Sequence, residues 1–348
     1  MTSRSTTRWT AVAAGSVGLL LVTACGSGSS DTGGGDASAE GGLSVLAGFY
    51  PLEWAASRVG GDLASVSSLT PPGAEAHDLE LSPQDVAAVS EADLLVYIEG
   101  FQPALDEAAQ TQAEDAAWDA GQAADLTLTA DDHGHGEDED AHAGEGDAHA
   151  EEGDTHAEEG DAHAGEGDAH AGEGEIVDPH FWLDPVRLAS VGNALAERMG
   201  ELDPDNAETY EENAAALRAD LEELDQEMQD ALSDCSVDTL VTSHDAFGYL
   251  GDRYGFDVVG ISGLDPSEEP SPAGMAEITE LVEERGVTTV YTETLVDPAV
   301  AETVAAEAGV QTAVLDPLEG LTDESAGEDY LEVMRANLEA LQQGQSCA

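Results

Sequence analysis

The chain has 348 residues, with nine arginines, no lysine and 75 acidic side chains, for a formal charge of −66. That length suffices for two domains with cores of their own. So acidic a surface repels phosphate backbones, which excludes nucleic acid as a partner; it concentrates cations, although solubility in a salty medium accounts for the global charge equally well.

Residues 1–24 read as an export signal. Arg4 and Arg8 supply the positive start, and "AVAAGSVGLLLV" is an apolar run too short to span a bilayer. The run ends in "VTAC", and small residues directly before Cys25 look like a bacterial lipoprotein cleavage site, at which the cysteine takes a diacylglyceryl group. Two acyl chains anchor stably where one is marginal. Residues 25–42, mostly Gly, Ser, Asp and Ala, then form a flexible tether.

Short apolar runs at 43–48, 62–69, 92–98 and 124–128 predict strands. Helical patterns fall between them in "FYPLEWAASRVGG", "SPQDVAAVSEA" and "FQPALDEAAQ". The pattern then breaks. From Asp140 to Gly174 one seven-residue unit is written five times, with a histidine at the third place of each: His142, His149, His156, His163 and His170. His133 and His135 precede them. The unit offers only Ala where a coiled coil needs two apolar residues, and every unit closes with Gly. The segment 131–175 is therefore expected to be disordered. Imidazole and carboxylate are both metal ligands, so the composition fits a weak metal-binding loop, with a solvated acidic spacer as the other reading.

After "DPHFWLDP" a helix is predicted from about Val186 to Gly200, and then the longest helical pattern, 206–234. In it Tyr210, Leu217, Leu221, Leu224, Met228 and Leu232 form one apolar stripe. Alternation resumes with strands at 239–243, 257–262, 288–293 and 311–316, separated by helical patterns. The fold class predicted is α/β: two lobes, 43–203 and 235–348, with mainly parallel sheets, joined by a linking helix at 204–234. Cys235 and Cys347 make an even pair in an exported chain, which predicts a disulfide.

Three histidines lie outside the repeat region: His77 in a Pro/Gly-rich loop after a strand, His180 before a helix and His244 at a strand's carboxyl end. Asp316 ends a further strand. Each alone fits a structural role, but ligands in α/β sheets gather beyond the carboxyl ends of strands. "HEXXH" is absent, and no Glu follows a His at the usual spacing of a zinc hydrolase.

"LTPPGAEAHDLELSP", "ADLLVYIEG", "DPHFWLDP", "LDPDNAETYEENAAAL", "SHDAFGYLGDRYGF", "GISGLDPSEEPSP" and "VLDPLEG" occur in that order between Leu43 and Leu341. In these the chain resembles the substrate-binding lipoproteins of bacterial zinc and manganese ABC transporters, the cluster A-I family. The resemblance implies two pseudo-symmetric lobes joined by a rigid backbone helix, with a metal in the interlobe cleft. It implies His77, His180, His244 and Asp316 as ligands, and an acidic His-rich loop between the first two. His at the third position favours Zn²⁺, where manganese members usually carry Glu. The family usually has Pro before the first His, and some zinc members have a ligating Glu; here Ala76 stands there. Glu293 is expected beside the site rather than in it. The implied function is extracytoplasmic capture of Zn²⁺, without catalysis, by a lipid-anchored monomer that serves a cognate permease and its cytoplasmic ATPase. The alternatives are a manganese-binding member of the same class, a surface zinc hydrolase, and an adhesin-like metal buffer.

Overall fold

The computed structural model describes residues 42–130, 176–268 and 270–348. The export signal, Cys25, the tether up to residue 41 and all seven loop histidines, His133 to His170, lie outside them.

The first sheet is built from β1 (Leu43–Ala47), β2 (Ala64–Ser68), β3 (Leu94–Tyr97) and β4 (Ala117–Asp119), in the order β2-β1-β3-β4. The second is built from β5 (Thr239–Thr242), β6 (Asp257–Gly260), β7 (Thr289–Thr292) and β8 (Gln311–Val314), in the order β6-β5-β7-β8. Every strand pair is parallel. The two sheets share one topology, written twice along the chain, so the predicted α/β architecture of two parallel-sheet lobes holds.

Parallel pairing needs crossovers, and helices supply them. The first lobe carries α1 (Tyr50–Gly60), α2 (Pro83–Glu91), α3 (Pro103–Gln112), the single turn α4 (Gly121–Ala124) and α5 (Pro185–Leu202). The second carries α7 (Gly248–Tyr254), α8 (Pro272–Arg285), α9 (Ala299–Ala308) and α10 (Tyr330–Gly344). Between them runs α6, Ala207–Leu232, whose 26 residues span about 39 Å. Its buried residues are the predicted stripe with Ala214 and Asp225 added. Starts are well marked: Ser82 and Asp85 form a reciprocal capping box on α2, and Asp184, Ser271 and Asp329 cap α5, α8 and α10.

The core has three parts. The largest runs without a break from β1 and α1 through α5 and α6 to Phe247, Tyr249, Tyr330 and Leu341. Smaller clusters fill the outer face of each sheet, under α2 and α3 in the first lobe and under α8 and α9 in the second. The inner helices are fitted closely: a Cβ on Gly192 of α5 would come 2.8 Å from Leu217 Cδ2 of α6. Cys235, just after α6, is joined to Cys347 by a disulfide.

One expected strand is not in the sheet. Residues 124–128 do not pair with β3, whose partners are β1 and the three-residue β4. Instead the chain turns at Asp125, in the left-handed region at φ 56°, and residues 128–130 meet 176–178 as an antiparallel stem. Asp178 N donates to Leu128 O and Ala130 N to Ile176 O, with a bridge from Thr129 to Val177. The alternation of Leu126 and Leu128 is that of an extended segment, as predicted; its partner is the far side of the loop. No helix among the described residues is long and apolar enough to cross a membrane.

Candidate metal centre

Four side chains from four separate loops converge between the sheets. His77 comes from the loop after β2, His180 from the turn before α5, His244 from the residues following β5, and Glu319 from the loop after β8. One ligand-type atom from each lies within 4.8 Å of the others. Glu319 Oε1 is the hub, 3.5 Å from His77 Nε2, 3.6 Å from His180 Nε2 and 3.3 Å from His244 Nε2.

Those spacings exceed good hydrogen-bond lengths, and all four atoms are buried without a hydrogen-bond partner among the described residues. Buried polar atoms are rarely left so. Four such atoms aimed at one point suit a shared cation better than they suit one another. The edges of a tetrahedron with bonds of about 2.0–2.1 Å are about 3.3–3.4 Å long, and the three spacings to Glu319 are close to that.

Carboxylates behind the ring fix its orientation. Asp178 Oδ1 accepts from His180 N at 2.8 Å and lies 2.7 Å from His180 Nδ1. Glu293 Oε1 accepts from His244 N at 3.0 Å, and its Oε2 lies 2.7 Å from His244 Nδ1. Each contact puts the ring proton on Nδ1 and leaves Nε2 with its lone pair toward the centre. His77 is held through its backbone: its N–H donates to Glu75 Oε1 at 3.0 Å, and its ring stands edge-on to Phe101, 4.5 Å between centroids.

Burial disfavours charge on Glu319, but three facing imidazoles outweigh it and hold the carboxyl well below the usual range. Burial lowers His180 and His244, yet Asp178 and Glu319 raise the first and Glu293 and Glu319 raise the second further. Burial and the adjacent Glu319 push Glu75 up to about 8.

The structure brings His77, His180 and His244 together as the sequence suggested, but Asp316 stands apart from the cluster. Its Oδ1 accepts from Leu318 N at 2.8 Å and its Oδ2 from Thr294 Oγ1 at 3.1 Å. Asn337 clasps its backbone from both sides, and Trp182 Nε1 donates to Pro317 O at 2.7 Å. Asp316 thus builds a side-chain turn in which Leu318 takes φ 61°, and the turn delivers Glu319 to the cluster. Sequence reasoning missed Glu319, Asp178 and Glu75. The signal was present: an Asp-Pro turn at a strand end sets the direction of the next few side chains, and each of His77 and His180 has an acid two residues before it. Glu293 stands beside the site, as expected.

Comparison with known proteins identifies the family. The family described as zinc-uptake complex component A, periplasmic, matches residues 45–344. The zinc-binding lipoprotein AdcA of Streptococcus pneumoniae is 37% identical over 317 residues, covering 88% of this chain and 56% of AdcA. The chain thus spans about half the length of the first curated relatives it matches. The high-affinity zinc uptake system protein ZnuA of Bacillus subtilis is 33% identical over 329 residues, covering 93% of each chain. Among solved structures, the laminin-binding protein Lmb of Streptococcus agalactiae, a bifunctional adhesin and metal transporter, superposes with TM-score 0.68 at 30% identity, covering 87% of this chain and 100% of Lmb. Zn(II)-bound AdcA of Streptococcus pneumoniae superposes with TM-score 0.66 at 33% identity, covering 88% of this chain and 58% of AdcA. A match running from β1 almost to the carboxyl terminus, with both sheets and all four converging side chains inside it, places this chain in the zinc-uptake complex component A family of substrate-binding proteins.

Proposed function

We propose that the protein captures Zn²⁺ outside the cytoplasm and hands it to an ABC-type permease driven by a cytoplasmic ATPase, with His77, His180, His244 and Glu319 as the ligands. The observation that carries this reading is the set of four buried atoms facing one another with no hydrogen-bond partner among the described residues. Three imidazoles and one carboxylate suit zinc, whereas manganese prefers more oxygen. A catalytic zinc keeps a coordination position open for water; four protein ligands close it, which argues for carriage rather than hydrolysis. The family and the zinc-binding relatives support the same cargo. The signal at 1–24 accounts for export, and lipid attachment at Cys25, with the 25–42 segment as tether, for retention at the membrane of a monomer built from lobes 43–203 and 235–348.

Titration of the metal-free mature protein tests this. One tight Zn²⁺ per chain is expected even when 131–175 is deleted, and zinc should be retained against excess manganese. Preferential retention of manganese would overturn the cargo. The loop histidines should add several weaker sites to the intact protein, since a sequence so poor in apolar residues binds at an ordering cost. Unchanged total stoichiometry on deletion would make the loop a spacer. Cys25→Ser should release the protein from membranes.

A further inference from the structure

Tyr249 belongs to α7 in the second lobe, five residues after His244, yet its hydroxyl is bonded entirely to the first lobe. It accepts from Thr127 N at 3.1 Å and Leu128 N at 3.3 Å, and donates to Asp178 O at 3.2 Å. A phenol has one proton and two lone pairs, so three bonds use its full capacity. The side chain is 1% exposed. Arg187 lies over its ring, 4.6 Å from the guanidinium carbon to the centroid, and donates to Ala124 O and Thr127 Oγ1 at 2.8 and 3.2 Å. Leu128 and Asp178 face each other across the stem, Thr127 directly precedes it, and Asp178 is the acid that orients His180.

We propose that Tyr249 is a positioning residue for zinc, which fixes His180 relative to His244 by holding the Asp178 turn from the opposite lobe. The inference rests on the four-ligand reading of the site. One short segment, 244–249, then supplies a ligand of its own and places another: His244 directly, and His180 through Tyr249 Oη, Asp178 O and Asp178 Oδ1. Without the hydroxyl, two amides and a carbonyl at the stem lose a buried partner, and the Asp178 turn is free to shift. A shift of a few tenths of an ångström at Asp178 moves His180 Nε2 off the point that the other three ligand atoms share.

Tyr249→Phe keeps the ring beneath Arg187 and removes only the oxygen. Zinc affinity, by chelator competition, and zinc release rate are to be measured on the mature protein for Y249F, D178A and their double variant, with apo melting as the fold control. Outer-shell partners change metal affinity roughly 10–100-fold; Tyr249 lies one bond further out, so a loss of about tenfold is expected. If it acts through Asp178, the double variant should bind no more weakly than D178A alone. Losses that multiply, as independent structural damage would, overturn the proposal, as does Y249F that binds like the parent. Hydrogen exchange on the unaltered protein needs no variant: the Thr127, Leu128 and His180 amides should gain protection together when zinc is added, and Thr127 and Leu128 amides indifferent to zinc also overturn it. His180→Ala separates the two readings. If H180A keeps tight zinc, the four-ligand site itself is wrong; if H180A loses zinc and Y249F does not, only the role of Tyr249 falls.

Discussion

Asp316 and Glu319 are both buried carboxylates on one turn, three residues apart, and differ in what their oxygens meet. Asp316 satisfies Leu318 N–H and the Thr294 hydroxyl, while Glu319 turns its Oε1 to three imidazole nitrogens and lies beside the Glu75 carboxyl. Glu319→Ala should therefore weaken zinc by more than the roughly 10–100-fold of an outer-shell change, with a small effect on apo stability. Asp316→Ala should do the reverse, lowering apo stability by about 1–3 kcal/mol as its buried partners lose their acceptor, with zinc weakened only secondarily. Parallel zinc titrations and denaturant curves on the two variants check the assignment, and equal zinc losses would contradict it. The three histidines were legible because they alone stand outside the repeat region, each in a loop that borders a strand or a helix. The fourth member of the cluster was not, because Asp316 occupies the same kind of position and only the turn it makes reveals that the next acid is the one presented.

Helix α6 was the most legible element, since 26 residues of one-sided apolar spacing admit little else. The stem was the least, because period-2 alternation gives an extended segment and says nothing of which strand it pairs with. One buried acid sits on the apolar face of α6. Asp225 receives both Nε and Nη2 of Arg253 from α7, at 2.5 and 2.6 Å, and Tyr254 Oη at 3.0 Å, while Arg253 Nε also lies 3.3 Å from Asp184 at the start of α5. Burial alone would raise Asp225, but Arg253, Gln229 and Tyr254 bring it below the usual range. A depressed folded value stabilises above the unfolded pKa of about 3.9 and is lost as pH falls through the folded value. Asp225→Asn should accordingly lower the melting temperature at neutral pH, and the gap should close below about pH 4. A gap unchanged at pH 3 would mean that the charge is not what matters. At the α5–α6 contact, Gly192→Val should cost about 1–3 kcal/mol by overpacking against Leu217, read as a lower denaturation midpoint.

Over the whole molecule, a formal charge of −66 with nine positive side chains means that the folded state works against its own repulsion. Salt shortens the reach of that repulsion to about 8–10 Å near 0.1–0.15 M. Raising sodium chloride from about 10 mM to that range should raise the apo melting temperature, and a flat response would mean that the charges are spaced beyond mutual influence. The disulfide has another consequence, in mechanics. Cys235 follows the last turn of α6, and Cys347 is one residue from the carboxyl end, 112 positions later. The second lobe is a covalent ring hung from a single point. A pull applied before α6 and after Cys347 runs along α6 and across the sulfurs, so β5 to α10 carry no load. Stretched in an optical trap, the oxidised protein should yield a contour shorter than the reduced one by about 380 Å, at roughly 3.4 Å per residue. Equal contours before and after reductant would mean that the ring is open. A lobe outside the line of tension keeps His244 and Glu319 in place while the rest of the chain is strained from its ends.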